Sequence, residues 1–167
     1  MRRLAAELFA LFALFGPMGS ALTADAAAPE PAEIRLAMEK VYPALVRIFV
    51  VTADPADGRE VKGGASGSGV IISPEGHVVT NHHVVGHAMR IWCTLADREQ
   101  VDARLVGTDA MADIAVIQLL PQSMRKPVPT FPFAAWGDSD RLSVGQRVFA
   151  MGSPGSLAQS VTCGIVA

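Results

Sequence analysis

Hydrophobic and polar residues along most of this chain alternate in short runs that predict β-strands. Glycine, proline, aspartate and serine separate these runs at intervals of about eight to twelve residues, a spacing typical of all-β domains. The first six predicted strands span residues 45–51, 67–72, 77–81, 89–95, 100–106 and 114–119. The short segment at 33–41 differs, because its apolar residues recur at helical spacing.

A proline-rich segment follows the sixth predicted strand. Its prolines are Pro121, Pro127, Pro129 and Pro132. Each proline removes a backbone donor from a strand ladder, so this segment is predicted to be a connector. Strand patterns resume at 146–151 and 161–167. The order predicts an all-β fold with a closed six-stranded barrel, followed by the beginning of a second barrel.

Two glycine-containing stretches border the predicted strands in the first half of the chain. Residues 54–58 read as a turn or loop, and residues 63–69 as a flexible entry to the second strand. The second stretch would also suit a phosphate-binding loop. It lacks the Gly-Lys-Ser/Thr ending of such loops and leads into a predicted strand, so this alternative is disfavoured.

The first 26 residues predict a secretory signal peptide. Arg2 and Arg3 provide the positive start, and residues 8–15 are uniformly apolar. Residues 24–26 fit the cleavage rule for small residues, with residues 19–21 as a second option. A membrane anchor is the alternative, but eight apolar residues are too few to cross about 30 Å of hydrocarbon. We therefore expect export, with the mature chain periplasmic or secreted.

Composition narrows the choice of partners. Half of the 167 residues are hydrophobic, only 18% are charged, and the net charge is −2. This balance argues against nucleic acid or an anionic membrane as the main partner. The two cysteines, Cys93 and Cys163, would meet oxidising conditions after export. Nothing in the sequence places them together, so two buried free thiols are expected instead of a disulfide.

His83 is the first residue with a pattern that points to chemistry. It follows a predicted strand ending in Thr80 and Asn81, after one short turn. A general base must be held by a rigid element at the surface of a cleft, and this location provides that. Taken alone, a single histidine is more often an ordinary surface or core residue.

Asp113 favours a chemical role for His83, because it directly precedes the apolar strand predicted at 114–119. A carboxylate at the mouth of a buried strand is costly unless a partner donates to it. The Nδ1–H of a histidine is such a partner, and its hydrogen bond leaves Nε2 free to accept a proton. There are two alternatives. Asp113 could only cap a turn, or Asp109 could be the partner of the histidine instead. His83 and Asp113 would form two parts of a His, Asp, Ser triad.

The histidines also allow a metal-binding interpretation. All four lie between His77 and His87, and His83 and His87 would share one face of a helix. No Glu-x-x-His pattern supplies further ligands, and Gly86 disfavours a helix there. We therefore expect neither a metal nor another cofactor.

Several segments, in the correct order, resemble one protein family. They are Gly-Ser-Gly-Val-Ile-Ile-Ser-Pro-Glu-Gly at 67–76, Val-Thr-Asn-His-His-Val-Val at 79–85, Asp-Ile-Ala-Val at 113–116, and residues 137–145 and 148–154. Together they resemble the HtrA/Deg branch of trypsin-like serine proteases, from about residue 33 to residue 167. His82 is a departure, because the family usually has a small or amide residue at that position.

The resemblance implies a double β-barrel with the cleft between the barrels, often followed by PDZ modules. It implies that His83 is the general base and Asp113 the acid that orients it. Substrates would be unfolded or exposed polypeptides, and the full-length protein would be a possible homo-oligomer. The corresponding segments are 1–26 for the signal peptide, 27–43 for the helical segment, 44–120 for the first barrel, 121–143 for the connector and 144–167 for the second barrel's start.

The nucleophile is where the chain departs most from the family. No serine lies in a Gly-Asn-Ser-Gly-Gly-Pro-like turn, and Ser153 and Ser156 are read as loop residues. We therefore expect the N-terminal part of an HtrA-type endopeptidase, truncated before its catalytic serine and inactive by itself. A non-catalytic barrel that holds peptides without cutting them is the alternative.

Overall fold

The computed structural model describes residues 32–56, 59–152 and 160–167. The predicted signal peptide lies outside the described residues, as do Ser153 and Ser156. The helices are α1 (Ala32–Val41) and the single-turn α2 (His82–Val85). The strands are β1 (Leu45–Ala56), β2 (Arg59–Ile71), β3 (His77–Thr80), β4 (Ala88–Thr94), β5 (Gln100–Asp109), β6 (Ile114–Leu119), β7 (Arg147–Gly152) and β8 (Ser160–Ile165).

The first six strands close into one antiparallel barrel. Their order around the barrel is β1-β2-β3-β6-β5-β4, and β4 pairs back with β1. The predicted all-β fold, with a complete first barrel and a short N-terminal helix, is confirmed. β7 and β8 form a separate two-stranded antiparallel sheet. The pairing of β3 with β6 matters most for the site, because it brings together strands that are distant in the sequence.

The barrel core follows the alternation that predicted the strands. In β6, Ala115, Ile117 and Leu119 are buried, while the residues between them are partly exposed. Two-residue periodicity of this kind places every second side chain inside a barrel. The largest fully buried side chains come from several strands: Val46, Ile48, Val50, Ile71, Val78, Val101, Ile117 and Leu119.

The two cysteines are both free, and they differ in environment. Cys93 is buried in the barrel core, and this burial raises the pKa of its thiol to about 12. Cys163 lies on β8 and is exposed. The expectation of two buried thiols is therefore wrong for Cys163, because the β7–β8 sheet leaves the β8 residue uncovered.

The β1–β2 hairpin is much longer than the sequence predicted. Its ladder continues from the pair Leu45 and Val70 to the pair Ala56 and Arg59. The loop expected at 54–58 and the flexible entry expected at 63–69 are therefore largely strand. A Cβ added to Gly69 would lie 2.6 Å from Val78 Cγ1. This glycine serves close packing inside the barrel and not backbone flexibility.

The proline-rich connector lies outside the barrel ladder, as predicted, and packs against one end of the barrel. Phe131 is buried over the β2–β3 turn, and its N–H donates to the carbonyl of Pro74 at 2.9 Å. Gly76 in that turn has φ +87°, and a Cβ there would lie 2.8 Å from the Phe131 ring. Glycine therefore meets both the backbone conformation and the close approach of the aromatic ring.

Neither described helix has the length and hydrophobicity that a membrane span requires.

The buried ring of Phe131 predicts a large loss of stability when it is removed. Phe131 is 4% exposed and Phe133 is 49% exposed, so the two phenylalanines form a matched pair. Phe131→Ala should lower the free energy of unfolding by about 3 kcal/mol, and Phe133→Ala by less than about 1 kcal/mol. Urea denaturation of the two variants measures this difference. Equal losses would contradict the packing of the connector on the barrel.

Candidate active site

The rim of the barrel positions His83 through the end of β3. The buried Thr80 donates its hydroxyl to the carbonyl of Ser68 at 2.8 Å, which fixes the end of β3 against β2. The following turn, predicted without helical structure, is the helical turn α2. Its residues Val84 and Val85 are buried in the core. His83 is thereby directed outward, and its side chain is 69% exposed.

Asp113 lies against His83 and contacts it at two points. The His83 backbone N–H donates to Asp113 Oδ1 at 2.9 Å, and His83 Nδ1 lies 2.7 Å from Asp113 Oδ2. Asp113 has φ +53°, a left-handed conformation that is uncommon outside glycine. The structure thus brings together the two residues that the sequence singled out.

The two aspartates, Asp109 and Asp113, differ in the groups that their carboxylates contact. Asp109 Oδ1 accepts from the backbone N–H groups of Met111 and Ala112, at 2.8 and 3.1 Å. It is therefore Asp109 that caps the turn between β5 and β6. Asp113, in contrast, directs both carboxylate oxygens towards His83.

Asn81 also contacts the pair. The sequence indicated it as the end of a strand and as part of the segment at 79–85, but without a role in the site. Its amide donates to the backbone carbonyl of Asp113 at 3.1 Å and to Asp113 Oδ2 at 3.3 Å. Asn81 occupies the N-cap position of α2, where an asparagine side chain usually accepts from the first helical turn. It makes no such bond here. Asp113 Oδ1 takes that role by accepting from His83 N–H, so the Asn81 amide is available to hold Asp113.

These donors stabilise the charged form of the Asp113 carboxyl. The backbone N–H of His83, then its ring, and to a smaller extent the amide of Asn81 lower the pKa of the Asp113 carboxyl below its usual value. Asp113 is therefore ionised at neutral pH and can only accept hydrogen bonds.

The ionised carboxylate also determines where His83 carries its proton. Nδ1 must donate to Asp113 Oδ2, so the neutral ring has its lone pair on Nε2. Nε2 makes no hydrogen bond to any residue that the structure describes. An exposed, oriented imidazole with an acceptor nitrogen is the arrangement that a general base requires.

His82 and Thr108 form a second contact across the same rim, which sequence reasoning missed. His82 Nδ1 lies 2.5 Å from the hydroxyl oxygen of Thr108. That hydroxyl donates to the backbone carbonyl of Ile114 at 3.2 Å. The only signal in the sequence was the unusual histidine beside His83.

Metal binding gains no support from the geometry. Among residues 32–56, 59–152 and 160–167, no three His, Cys, Asp or Glu side chains are grouped so that they could hold a metal ion. His83 Nδ1 is engaged by Asp113, and His82 Nδ1 by Thr108. Both nitrogens therefore have partners within the chain.

Comparison with known proteins places this geometry in context. A family profile described as a trypsin-like peptidase domain matches residues 67–167. A protein of Pseudomonas putida (strain GB-1), named probable periplasmic serine endoprotease DegP-like, is 41% identical over 112 residues, which are 67% of this chain and 22% of the relative. A Chlamydia trachomatis protein of the same name is 40% identical over 100 residues, covering 60% of this chain and 19% of the relative. The chain spans about a fifth of the length of these curated relatives.

The lowered pKa of Asp113 predicts how stability depends on pH. A carboxyl whose pKa falls on folding stabilises the folded state above its ordinary pKa of about 4, and this contribution is lost as the pH falls through the lower folded value. Asp113→Asn should therefore be less stable than the unaltered chain at about pH 5, and the difference should disappear towards about pH 2. Urea denaturation across this range measures it.

Asp109→Asn is the matched control, because it alters a carboxylate of the same loop that does not contact His83. The stability of Asp109→Asn should fall with decreasing pH in the same way as that of the unaltered chain. A difference between Asp113→Asn and the unaltered chain that stayed constant down to about pH 2 would contradict the two-point contact.

Proposed function

Since the chain belongs to the family of trypsin-like peptidase domains, as a member of its HtrA/Deg branch, we propose that it contributes the histidine and aspartate of a serine endopeptidase. His83 is the general base and Asp113 is the acid that orients it. The observation that supports this assignment is the two-point contact, in which one carboxylate holds both the backbone N–H and the ring Nδ1 of the same histidine. That contact fixes the position of the ring and its tautomer together.

The chemistry follows from the lone pair on Nε2 of His83. Nε2 accepts the proton of a serine hydroxyl as the serine oxygen attacks the carbonyl carbon of a peptide bond. The imidazolium that forms is stabilised by the neighbouring Asp113 carboxylate. It then returns the proton to the leaving amine as the carbon–nitrogen bond breaks, and water repeats the sequence on the acyl-enzyme.

The third member of the triad is the serine nucleophile. None of the serines in these 167 residues lies within the family's nucleophile motif. No Gly-x-Ser-Gly-Gly sequence is present. Removal of a triad serine costs a factor of about 10⁶ in turnover. Each backbone donor of the oxyanion hole that accompanies it contributes about 10² to 10³. We therefore propose that the 167 residues do not hydrolyse peptide bonds at a useful rate by themselves.

Substrate and location belong to the same proposal. The curated relatives are named periplasmic endoproteases, and the first 26 residues have the pattern of a secretory signal peptide. We propose that the protein is exported to the periplasm and acts on unfolded or exposed polypeptides, as a homo-oligomer in its full-length form. No metal or other cofactor enters this mechanism, because the histidine and aspartate supply the acid and base steps.

A chimera tests the proposal directly. The segment of the P. putida relative that aligns with this chain would be replaced by the corresponding residues of this chain, so that the rest of the relative supplies its own serine. The chimera should hydrolyse unfolded casein. His83→Ala should abolish that activity, and Asp113→Asn should lower kcat by about 10⁴, because the amide no longer enforces the required tautomer.

His87→Ala is the matched control, since His87 is an exposed histidine of the same segment that does not contact Asp113. It should retain activity. A folded chimera that hydrolyses casein equally well with His83→Ala would overturn the assignment of the base. A folded chimera that binds casein without cutting it would favour the non-catalytic peptide-binding alternative.

The chain by itself gives a separate prediction. A fluorophosphonate probe labels serines that an adjacent base activates. The 167-residue protein should remain unlabelled and should not cleave casein, whereas the chimera should be labelled. Labelling of the isolated chain, located by peptide mapping, would identify an activated serine within these residues and contradict the proposal.

A further inference from the structure

The ring of His82 lies in a niche formed by its own helical turn. Gly86 is the C-cap of α2, and its N–H donates to the His82 carbonyl at 2.7 Å. A Cβ added to Gly86 would lie 2.8 Å from His82 Nδ1 and closer still to Cε1. The half-buried ring therefore packs directly on backbone, where only glycine leaves room for it.

The hydrogen bonds of Thr108 determine the direction of its contact with His82. A threonine hydroxyl has one proton to donate, and Thr108 directs it to the carbonyl of Ile114 at 3.2 Å. Both contacts of this hydroxyl are hydrogen bonds only when His82 Nδ1, at 2.5 Å from the same oxygen, is the donor. The network is therefore complete in the Nδ1–H tautomer of neutral His82.

The resulting bridge joins the two segments that carry the active-site pair. His82 directly precedes His83, and Ile114 directly follows Asp113. The hydrogen bonds from His82 to Thr108 and from Thr108 to Ile114 thus connect the same two segments as the contact between His83 and Asp113. Asn81 joins the same two segments through its two hydrogen bonds to Asp113.

The pair needs such support because it is exposed. The side chains of His83 and Asp113 are 69% and 44% exposed, and exposed ion pairs hold their geometry weakly. Asp113 also has the uncommon φ of +53°. A catalytic pair must be held within about 0.5 Å of its productive geometry by neighbouring contacts.

We propose that His82 is a positioning residue for the His83–Asp113 pair, and that it acts through the hydroxyl of Thr108. The reading of that pair as catalytic rests on the proposed function, whereas the coupling itself is a property of the fold.

Nuclear magnetic resonance of the 167-residue chain with ¹⁵N-labelled histidine tests the coupling without requiring hydrolysis. Nitrogen shifts should report the Nδ1–H tautomer for His82 and His83, with a downfield proton on His83 Nδ1. Thr108→Val removes the bridging hydroxyl at nearly constant volume. It should give His82 a mixture of tautomers and accelerate exchange of the His83 Nδ1 proton with water by about fivefold to tenfold, the range expected for one lost hydrogen bond.

Thr108→Ser is the matched rescue, because it keeps the hydroxyl. It should preserve the signals of the unaltered chain, and His82→Ala should reproduce the effect of Thr108→Val on His83. An unchanged His83 signal in folded Thr108→Val would overturn the proposal. If Thr108→Val and His82→Ala both unfold while Thr108→Ser folds, the bridge stabilises the barrel as a whole, and the positioning role is wrong. Activity of the His83→Ala chimera would overturn only the proposed function.

Discussion

The pairing of β3 with β6 is the constraint on which the site depends. Thr80 at the end of β3 lies opposite Ala115 near the start of β6. Because the strands are antiparallel, the end of one and the beginning of the other meet at the same rim of the barrel. His83 lies three positions beyond Thr80, and Asp113 two positions before Ala115. A change of one residue in this register would separate them, since it also exchanges the inner and outer faces of the strand.

Within that register, the Asp113 carboxylate makes two contacts with a single residue. It accepts from the His83 backbone N–H, as a capping side chain would at the start of a helix, and from the ring of the same residue. The backbone and the ring of His83 are thereby fixed by one group. This arrangement also explains why Asn81, at the N-cap, donates to Asp113 and makes no cap bond of its own. The side chain of His83 is held by polar contacts at an exposed rim, where little hydrophobic burial is available.

The sequence predicted the parts of the fold that depend on local patterns. Two-residue alternation identified all six barrel strands, and the apolar strand after Asp113 indicated that its carboxylate needs a donor. Prediction from the sequence failed where contacts between distant segments determine the structure. Glycines suggested flexibility near Gly69, but the neighbouring strand packs so closely there that only glycine fits. The contacts of Asn81 and Thr108 were not predicted, because they arise only once β3, β5 and β6 are neighbours in the barrel.

An irregularity in β5 shows how closely the second bridge depends on the same barrel. Leu105 pairs with Ile117, and Gly107 pairs with Val116, so one extra residue is inserted between these two pairs. Without that insertion, Gly107 would lie opposite Ala115, and it has no hydroxyl to offer. With the insertion, Thr108 lies opposite Ala115, beside the strand that begins directly after Asp113. Bulges often redirect a side chain next to an active site. The bulge in β5 therefore explains, in terms of register, why a threonine and not a glycine meets His82.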